Sequence, residues 1–193
     1  MKKYICIIMM CLACLTATAQ QTSSDKKIIQ RITQTAAAMK SMQCDFVQTR
    51  YTKMLGEKVI SKGKMSYTKP NTLRWEYTSP NVFILSMKGN AVTVQKMEGG
   101  KIVNAQSNKY VKRLASFILS AVTGQSLNDA KMFKTTAQDN GKDYIITLVP
   151  LKKEMKQMYP KMQLTFSKKS EIASRVIMYE RNGDYTDIEF TKR

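Results

Sequence analysis

The chain has 193 residues, with 32 lysines and arginines against 14 acidic residues, a formal net charge of +18, and no histidine. Without imidazole, Ser-His and Cys-His nucleophilic catalysis is excluded and the commonest transition-metal ligand is missing. So large a positive charge favours anionic partners such as phospholipid surfaces, lipopolysaccharide or acidic proteins, while basic residues spread along the whole chain also fit a solvated surface.

The chain opens with Met1-Lys2-Lys3, an apolar run from Tyr4 to Leu15 and Ala17-Thr18-Ala19, the three regions of a secretory signal. Residues 1–19 are therefore expected to be a signal peptide cleaved after Ala19, and residues 20–193 a single exported domain. The rival is a lipoprotein signal lipidated at Cys14, although Cys11 stands where such signals usually carry leucine or another aliphatic residue. No later stretch approaches the roughly 20 apolar residues that a membrane span needs. Cleavage removes Cys6, Cys11 and Cys14, which leaves no second cysteine for an intramolecular disulfide, and Cys44 is expected to be a buried, small apolar group. It also removes Lys2 and Lys3, leaving 30 basic and 14 acidic residues, a charge near +16. Export argues against nucleic acid as the anionic partner. The remaining 174 residues are enough for one core that buries roughly 70% of the unfolded surface.

Ser24 to Ser41 reads as a helix, with Asp25 near its start and Ile28, Ile29, Ile32, Ala36 and Met39 at helical spacing. From Cys44 the period changes to two. A strand runs through Phe46 and Val47 to about Thr52, a turn falls near Leu55-Gly56-Glu57, and a second strand runs from Val59 to Tyr67. In that strand Val59, Met65 and Tyr67 share one face, and Lys62, Lys64, Ser66 and Thr68 the other. Next comes Lys69-Pro70-Asn71-Thr72-Leu73-Arg74-Trp75-Glu76-Tyr77-Thr78-Ser79-Pro80, which contains the one tryptophan of the chain. Its prolines bias their neighbours toward extended backbone and mark the ends of a strand, within which Leu73, Trp75 and Tyr77 alternate with Arg74, Glu76 and Thr78. Strands follow over Val82 to Met87, Ala91 to Met97 and Ile102 to Ala105, the last two joined across Gly99-Gly100.

Lys109 to Val122 returns to helical spacing, with Tyr110, Leu114, Phe117, Ile118, Ala121 and Val122, and Thr123-Gly124 closes it. A helical turn around Leu127 to Lys131 is possible on the same pattern. Strands resume at Phe133 to Gln138, Tyr144 to Val149, Lys161 to Phe166, Ile172 to Tyr179 and Tyr185 to Thr191. Asn140-Gly141 and Asn182-Gly183 supply the positive φ that tight hairpins need. Lys152 to Met158 fits a short helix or a loop. The fold class is thus mainly β with helices, a strongly curved antiparallel sheet of about ten strands with two or three amphipathic helices.

Chemistry is sparse. Cys44 has no second cysteine for zinc, no phosphate-binding glycine loop follows a strand, and no cofactor or metal is expected. The acidic residues are scattered, which leaves a carboxylate pair for glycoside hydrolysis open without pointing to one. Binding is the better class. The sheet offers Phe46, Met65, Tyr67, Leu73, Trp75, Tyr77, Phe83 and Leu85 to the helices, whose own faces carry Ile32, Met39, Leu114 and Phe117. That set makes either an ordinary core or an adaptable apolar pocket, and the 11 methionines left after cleavage suit the pocket.

Asp45-Phe46-Val47-Gln48 and the run from Lys64-Met65-Ser66-Tyr67-Thr68 through Lys69 to Pro80 resemble LolA, the periplasmic lipoprotein carrier family. The resemblance runs from the first helix to the last strand. It implies an unclosed β-barrel with a helical lid over a hydrophobic cavity, in which the twelve residues just named would hold the acyl chains of outer-membrane lipoproteins. It also implies cargo delivery from a LolCDE-like inner-membrane transporter and release to an outer-membrane acceptor in the periplasm; the protein is expected to be a monomer, and its charge allows transient contact with anionic membrane surfaces. Where the family usually has an arginine that latches the lid, this chain has Lys69, which lacks the planar guanidinium fork. Family members usually continue past the last strand, and the sequence given stops at Arg193, so behaviour at the inner membrane is expected to differ. The runner-up is a binder of the same fold for a glycolipid or other envelope lipid in a different export system. A third reading is a structural envelope protein with a solid core.

Overall fold

The computed structural model describes residues 23–106 and 109–192, so the expected leader, with its Ala19 and Cys14 alternatives, lies outside the described residues. Helix α1 (Ser23–Ala38) leads into β1 (Ser41–Thr52), β2 (Glu57–Thr68), β3 (Thr72–Ser79), β4 (Phe83–Lys88), β5 (Ala91–Glu98) and β6 (Lys101–Ala105). Helix α2 (Lys109–Val122) and a single 3-10 turn (Gln125–Leu127) then precede β7 (Phe133–Asp139) and β8 (Asp143–Pro150). Helix α3 (Lys153–Met158), β9 (Lys161–Ser167), β10 (Ala173–Tyr179) and β11 (Tyr185–Lys192) complete the chain.

All eleven strands form one antiparallel sheet in the order β6-β5-β4-β3-β2-β1-β11-β10-β9-β8-β7. Neighbours in the sheet are neighbours in sequence except at one seam, where β1 pairs with β11 and places Phe46 opposite Phe190. The edge strands β6 and β7 do not pair, so the barrel is unclosed. The expected fold class holds, with one strand more than about ten.

Local chemistry accounts for most boundaries. Pro70 and Pro80 bracket β3 as expected, each after a cis peptide bond. Along β3, Leu73 and Trp75 are buried, while Arg74 and Glu76 pair on the outer face at 2.9 Å. At the β7–β8 turn, Asp139 and Asn140 accept hydrogen bonds from the amides of Gly141 and Asp143 at 2.8 and 2.7 Å. Two boundaries differ from expectation. Helix α1 stops at Ala38 because Ser41 already pairs with Thr68, so the ladder claims the last turn of the expected helix. The helical turn expected at Leu127 to Lys131 sits earlier, at Gln125–Leu127, where Gly124 adopts the left-handed conformation that ends α2. Lys153–Met158 is helical.

Helix α1 crosses one end of the barrel and is tied to the β9–β10 turn. Arg31 pairs with Glu171 at 2.6 Å, and the Thr35 hydroxyl donates to the same carboxylate at 2.6 Å. The Thr35 bond first, and the Arg31 bond and charge after it, hold Glu171 below the ordinary value of 4.5. A depressed folded-state value means that this stabilisation is complete above the ordinary value and is lost as pH falls through the folded one. Melting temperature should therefore fall more steeply between about pH 5 and pH 3 in the wild type than in Glu171→Gln. Parallel curves would show that the contact contributes nothing.

Candidate functional site

The concave face of the sheet carries an aromatic cluster. Phe46 and Trp75 stack with centroids 4.1 Å apart, Tyr77 meets Phe46 edge-on at 5.2 Å, and Phe190 meets Trp75 edge-on at 6.0 Å. Gly63 of β2 makes the cluster possible. A Cβ there would collide with the Glu76 carbonyl oxygen and with the Phe46 ring, and the ladder between β2 and β3 shifts register at this residue. Gln48 lies two residues beyond Phe46 on the same face and accepts a 2.8 Å hydrogen bond from the Tyr77 hydroxyl. The Phe-x-Gln pair and the Trp-x-Tyr pair of the two motifs are thus one cross-strand unit.

Helix α2 lies over this wall. Phe117, Ile118, Ala121 and Val122 face Trp75 and residues of β10 and β11, and the gap between them is about 10 Å³. That is room for about one water at most. Trp75 is 1% exposed, and its Nε1 has no hydrogen-bond partner among the described residues. A buried donor left unpaired costs on the order of 1–3 kcal/mol.

Open space lies beside the wall. A groove of about 630 Å³ runs between α2 and α3, with Phe117, Met132, Phe133, Met155 and Met158 as its apolar lining and Lys112 and Lys152 among its polar residues. Its size falls inside the roughly 300–1,000 Å³ range of ligand pockets, and three methionines give it an adaptable surface. A second hollow, of about 920 Å³, lies between the end of α1, Lys69 to Asn71 and residues 123–131, and is more polar and open.

The expected site residues come together unevenly. Phe46, Met65, Tyr67, Leu73, Trp75, Leu85, Ile32 and Phe117 are all buried in one cluster, with Met39, Tyr77 and Phe83 half-buried against it. Leu114 is in α2, and its side chain lies outside the described ones. Of the eleven whose side chains are described, only Phe117 also lines the groove between α2 and α3. The groove's other apolar residues carry no signal in the sequence beyond two methionines three apart in a lysine-rich stretch. Lys69 donates from Nζ to the Ala37 carbonyl at 2.9 Å, and its amide donates to Lys40. A cation there meets the unpaired carbonyls and partial negative charge of the α1 C-terminus. Its contact is thus with α1 rather than α2. Cys44 is buried, as expected of a small apolar group.

An open antiparallel barrel with an apolar concave face, stoppered by helices, defines the class of this protein. The family described as outer membrane lipoprotein carrier protein LolA matches residues 37–193, and the chain belongs to that family. Relatives from two subspecies of Francisella tularensis, novicida and tularensis, each named outer-membrane lipoprotein carrier protein, are 27% identical over 150 residues, which is 78% of this chain and 69% of theirs. The Pseudomonas aeruginosa MucA/MucB complex structure contains the same fold, with a TM-score of 0.51 at 10% identity, over 88% of this chain and 56% of that one. A LolA-superfamily protein from Nitrosomonas europaea is also similar, with a TM-score of 0.42 at 8% identity over 87% of this chain and 91% of that one.

Proposed function

We propose that this protein is a single-domain periplasmic carrier, residues 20–193 after cleavage at Ala19, that takes the acyl chains of lipoproteins from an inner-membrane transporter of the LolCDE type to an outer-membrane acceptor. The observation that carries this reading is the wall of Phe46, Trp75 and Tyr77 covered by α2, beside a methionine-lined groove. A helix can leave such a wall and be replaced by an acyl chain. The cavity is then the space α2 vacates, and the twelve residues above, Leu114 included, are its lining. An ester carbonyl of the cargo would supply the acceptor that Trp75 Nε1 lacks among the described residues.

Energetics favour a covering helix over a permanent hole. A palmitoyl-sized chain has about 14 methylenes at ~0.8 kcal/mol each, so its burial is worth on the order of 10 kcal/mol. Binding at full strength would prevent release. Cargo must first displace Phe117, Ile118 and Val122, which return roughly 1.5–3 kcal/mol apiece when α2 closes again. Retention is then a difference of a few kcal/mol, small enough for hand-over.

Native mass spectrometry of the protein purified from its own periplasm tests the proposal. A bound triacylated protein supports it. A bound glycolipid or other free lipid supports the alternative amphiphile, and a bare protein that also fails to bind bis-ANS supports a solid structural core. Lys69 serves as the latch in this scheme, because its bond to Ala37 holds α1, whose Thr33 and Ala36 lie against Gly124 at the end of α2, and so favours the closed, unloaded form. Lys69→Leu should retain lipoprotein more strongly and slow transfer about fivefold, in line with ~1 kcal/mol for one exposed hydrogen bond. Unchanged transfer kinetics would remove Lys69 from the mechanism.

A further inference from the structure

The β1–β2 hairpin extends past the rest of the sheet. Its pairing with β3 begins only at Lys62 and that of β1 with β11 ends at Tyr51, so residues 52–57 project as a two-stranded ribbon and, just below it, residues 58–61 of β2 pair with β1 alone. The ribbon carries Met54 and Leu55 at 89 and 61% exposure, and the stretch of β2 at its base carries Val59 and Ile60 at 54 and 57%. Parity puts Val59 on the face of Met65, but nothing covers that face so far out. Large apolar side chains in water at adjacent positions mark an interaction surface.

Topology adds to the patch. In an antiparallel sheet the β1–β2, β5–β6 and β10–β11 turns and the end of β8 share one end of the strands. Met97 and Ile102 flank the β5–β6 turn, and Leu151 follows β8. Every large hydrophobic residue that is exposed among the described residues therefore lies at this end. The opposite end, with the β2–β3, β4–β5 and β7–β8 turns, has none among them. Exposed Lys53, Lys58, Lys101, Lys152 and Lys153 accompany the apolar residues and outnumber the exposed Glu57, Glu98 and Glu154 beside them.

The ribbon is held firmly at its base. The Lys53 amide donates to the buried Asp184 carboxylate at 2.9 Å, and Arg50 pairs with Glu180 at 2.7 Å and with Asp184 at 3.7 Å. These bonds fasten it to the β10–β11 turn. A braced ribbon ending in Met54 and Leu55 is a convex wedge.

We infer that this end of the barrel docks on an anionic bilayer, with Met54 and Leu55 entering the interfacial layer and the lysines resting on acidic headgroups. A protein partner would call for about 800 Å² of complementary surface per side, more than a narrow tip offers. Shallow insertion of a few apolar residues flanked by cations needs no such area. The groove between α2 and α3 lies at the same end, since Phe133 opens β7 and Met155 and Met158 follow β8. Docking would bring its mouth to the membrane where acyl chains enter or leave. That purpose rests on the carrier reading, whereas docking itself does not.

Flotation of the purified exported protein with vesicles of phosphatidylethanolamine and phosphatidylglycerol tests the inference, with phosphatidylcholine vesicles as the neutral comparison. Binding should need the anionic lipid and weaken with salt. Met54→Glu/Leu55→Glu should reduce it about tenfold or more, whereas Lys88→Glu, which changes the charge equally at the opposite end, should reduce it less than threefold. Leu55→Trp should gain blue-shifted emission on adding vesicles, against the constant signal of buried Trp75. No binding by the wild type, equal losses in the two charge variants, or unshifted emission from the Leu55→Trp protein would each overturn docking by the tip. Retained vesicle binding with impaired lipoprotein transfer in the double variant would do so too, and would assign the tip to a protein. Lipoprotein bound to the double variant in native mass spectrometry keeps the carrier reading separate, because loading needs none of these residues.

Discussion

Trp75→Ala should lower the free energy of unfolding by about 3–5 kcal/mol, the cost of removing a large aromatic side chain from a closed core. Trp75 is buried, stacks on Phe46 and touches the residues beneath α2 across a gap of only about 10 Å³. The sheet wall cannot collapse into the void, because Phe46 and Phe190 are fixed on neighbouring, paired strands. For a domain of this size each kcal/mol corresponds to roughly 2–4 °C, so melting followed by circular dichroism should fall by roughly 6–20 °C. Trp75→Phe should cost much less, since it keeps a ring against Phe46 and removes the Nε1–H that has no partner among the described residues. Equal losses in the two variants would place the whole cost on what both remove, the pyrrole part of the indole with its Nε1–H, and would mean that this donor is satisfied rather than unpaired. A loss below about 1 kcal/mol in Trp75→Ala would show that α2 settles freely into the space, contrary to a wall held by the sheet.

Much of this arrangement was legible in the sequence because it is local. Two prolines bracket β3, Asn-Gly pairs mark two hairpins, and period-two alternation assigns Leu73 and Trp75 to the inner face. What was not legible depends on distant neighbours. Alternation says which face a residue occupies and not whether that face is covered, so Val59 reads like Met65 although one is in water and the other in the core. The seam between β1 and β11 joins residues about 140 positions apart, and no spacing rule reaches that far. The groove is assembled from α2, the segment before β7 and α3, none of which carries its signature alone. Lys69 is marked by the family resemblance, at the position of the usual latch arginine, yet its contact with α1 depends on how that helix crosses the barrel end. The family resemblance carried the unclosed barrel and the lid, which periodicity cannot distinguish from a sheet covered by ordinary helices.

Gly63→Ala should be destabilising by about 3 kcal/mol, although it adds a single methyl group. In an unstrained strand the same change would be mildly favourable, by roughly 0.5–1 kcal/mol, because alanine restricts the unfolded chain. Here the new Cβ falls on the Glu76 carbonyl oxygen and the Phe46 ring. The carbonyl belongs to the β2–β3 ladder and cannot retreat without breaking the pairing of Lys64 with Glu76 and Gly63 with Tyr77. The ring could retreat only by leaving its 4.1 Å stack on Trp75. Overpacking of this kind costs about 1–3 kcal/mol where side chains absorb it, and more where backbone must move. The two contacts can be separated by a double-mutant cycle with Phe46→Leu, in which the shorter side chain relieves one collision and leaves the other. The double variant should be more stable than the sum of the single losses predicts by about 1 kcal/mol or more, and less stable than Phe46→Leu alone. Additive losses would place the whole cost on the Glu76 carbonyl. A Gly63→Ala protein as stable as the wild type would mean that β2 and β3 separate easily at the bulge, and the aromatic wall would then owe its shape to α2 instead of to the sheet.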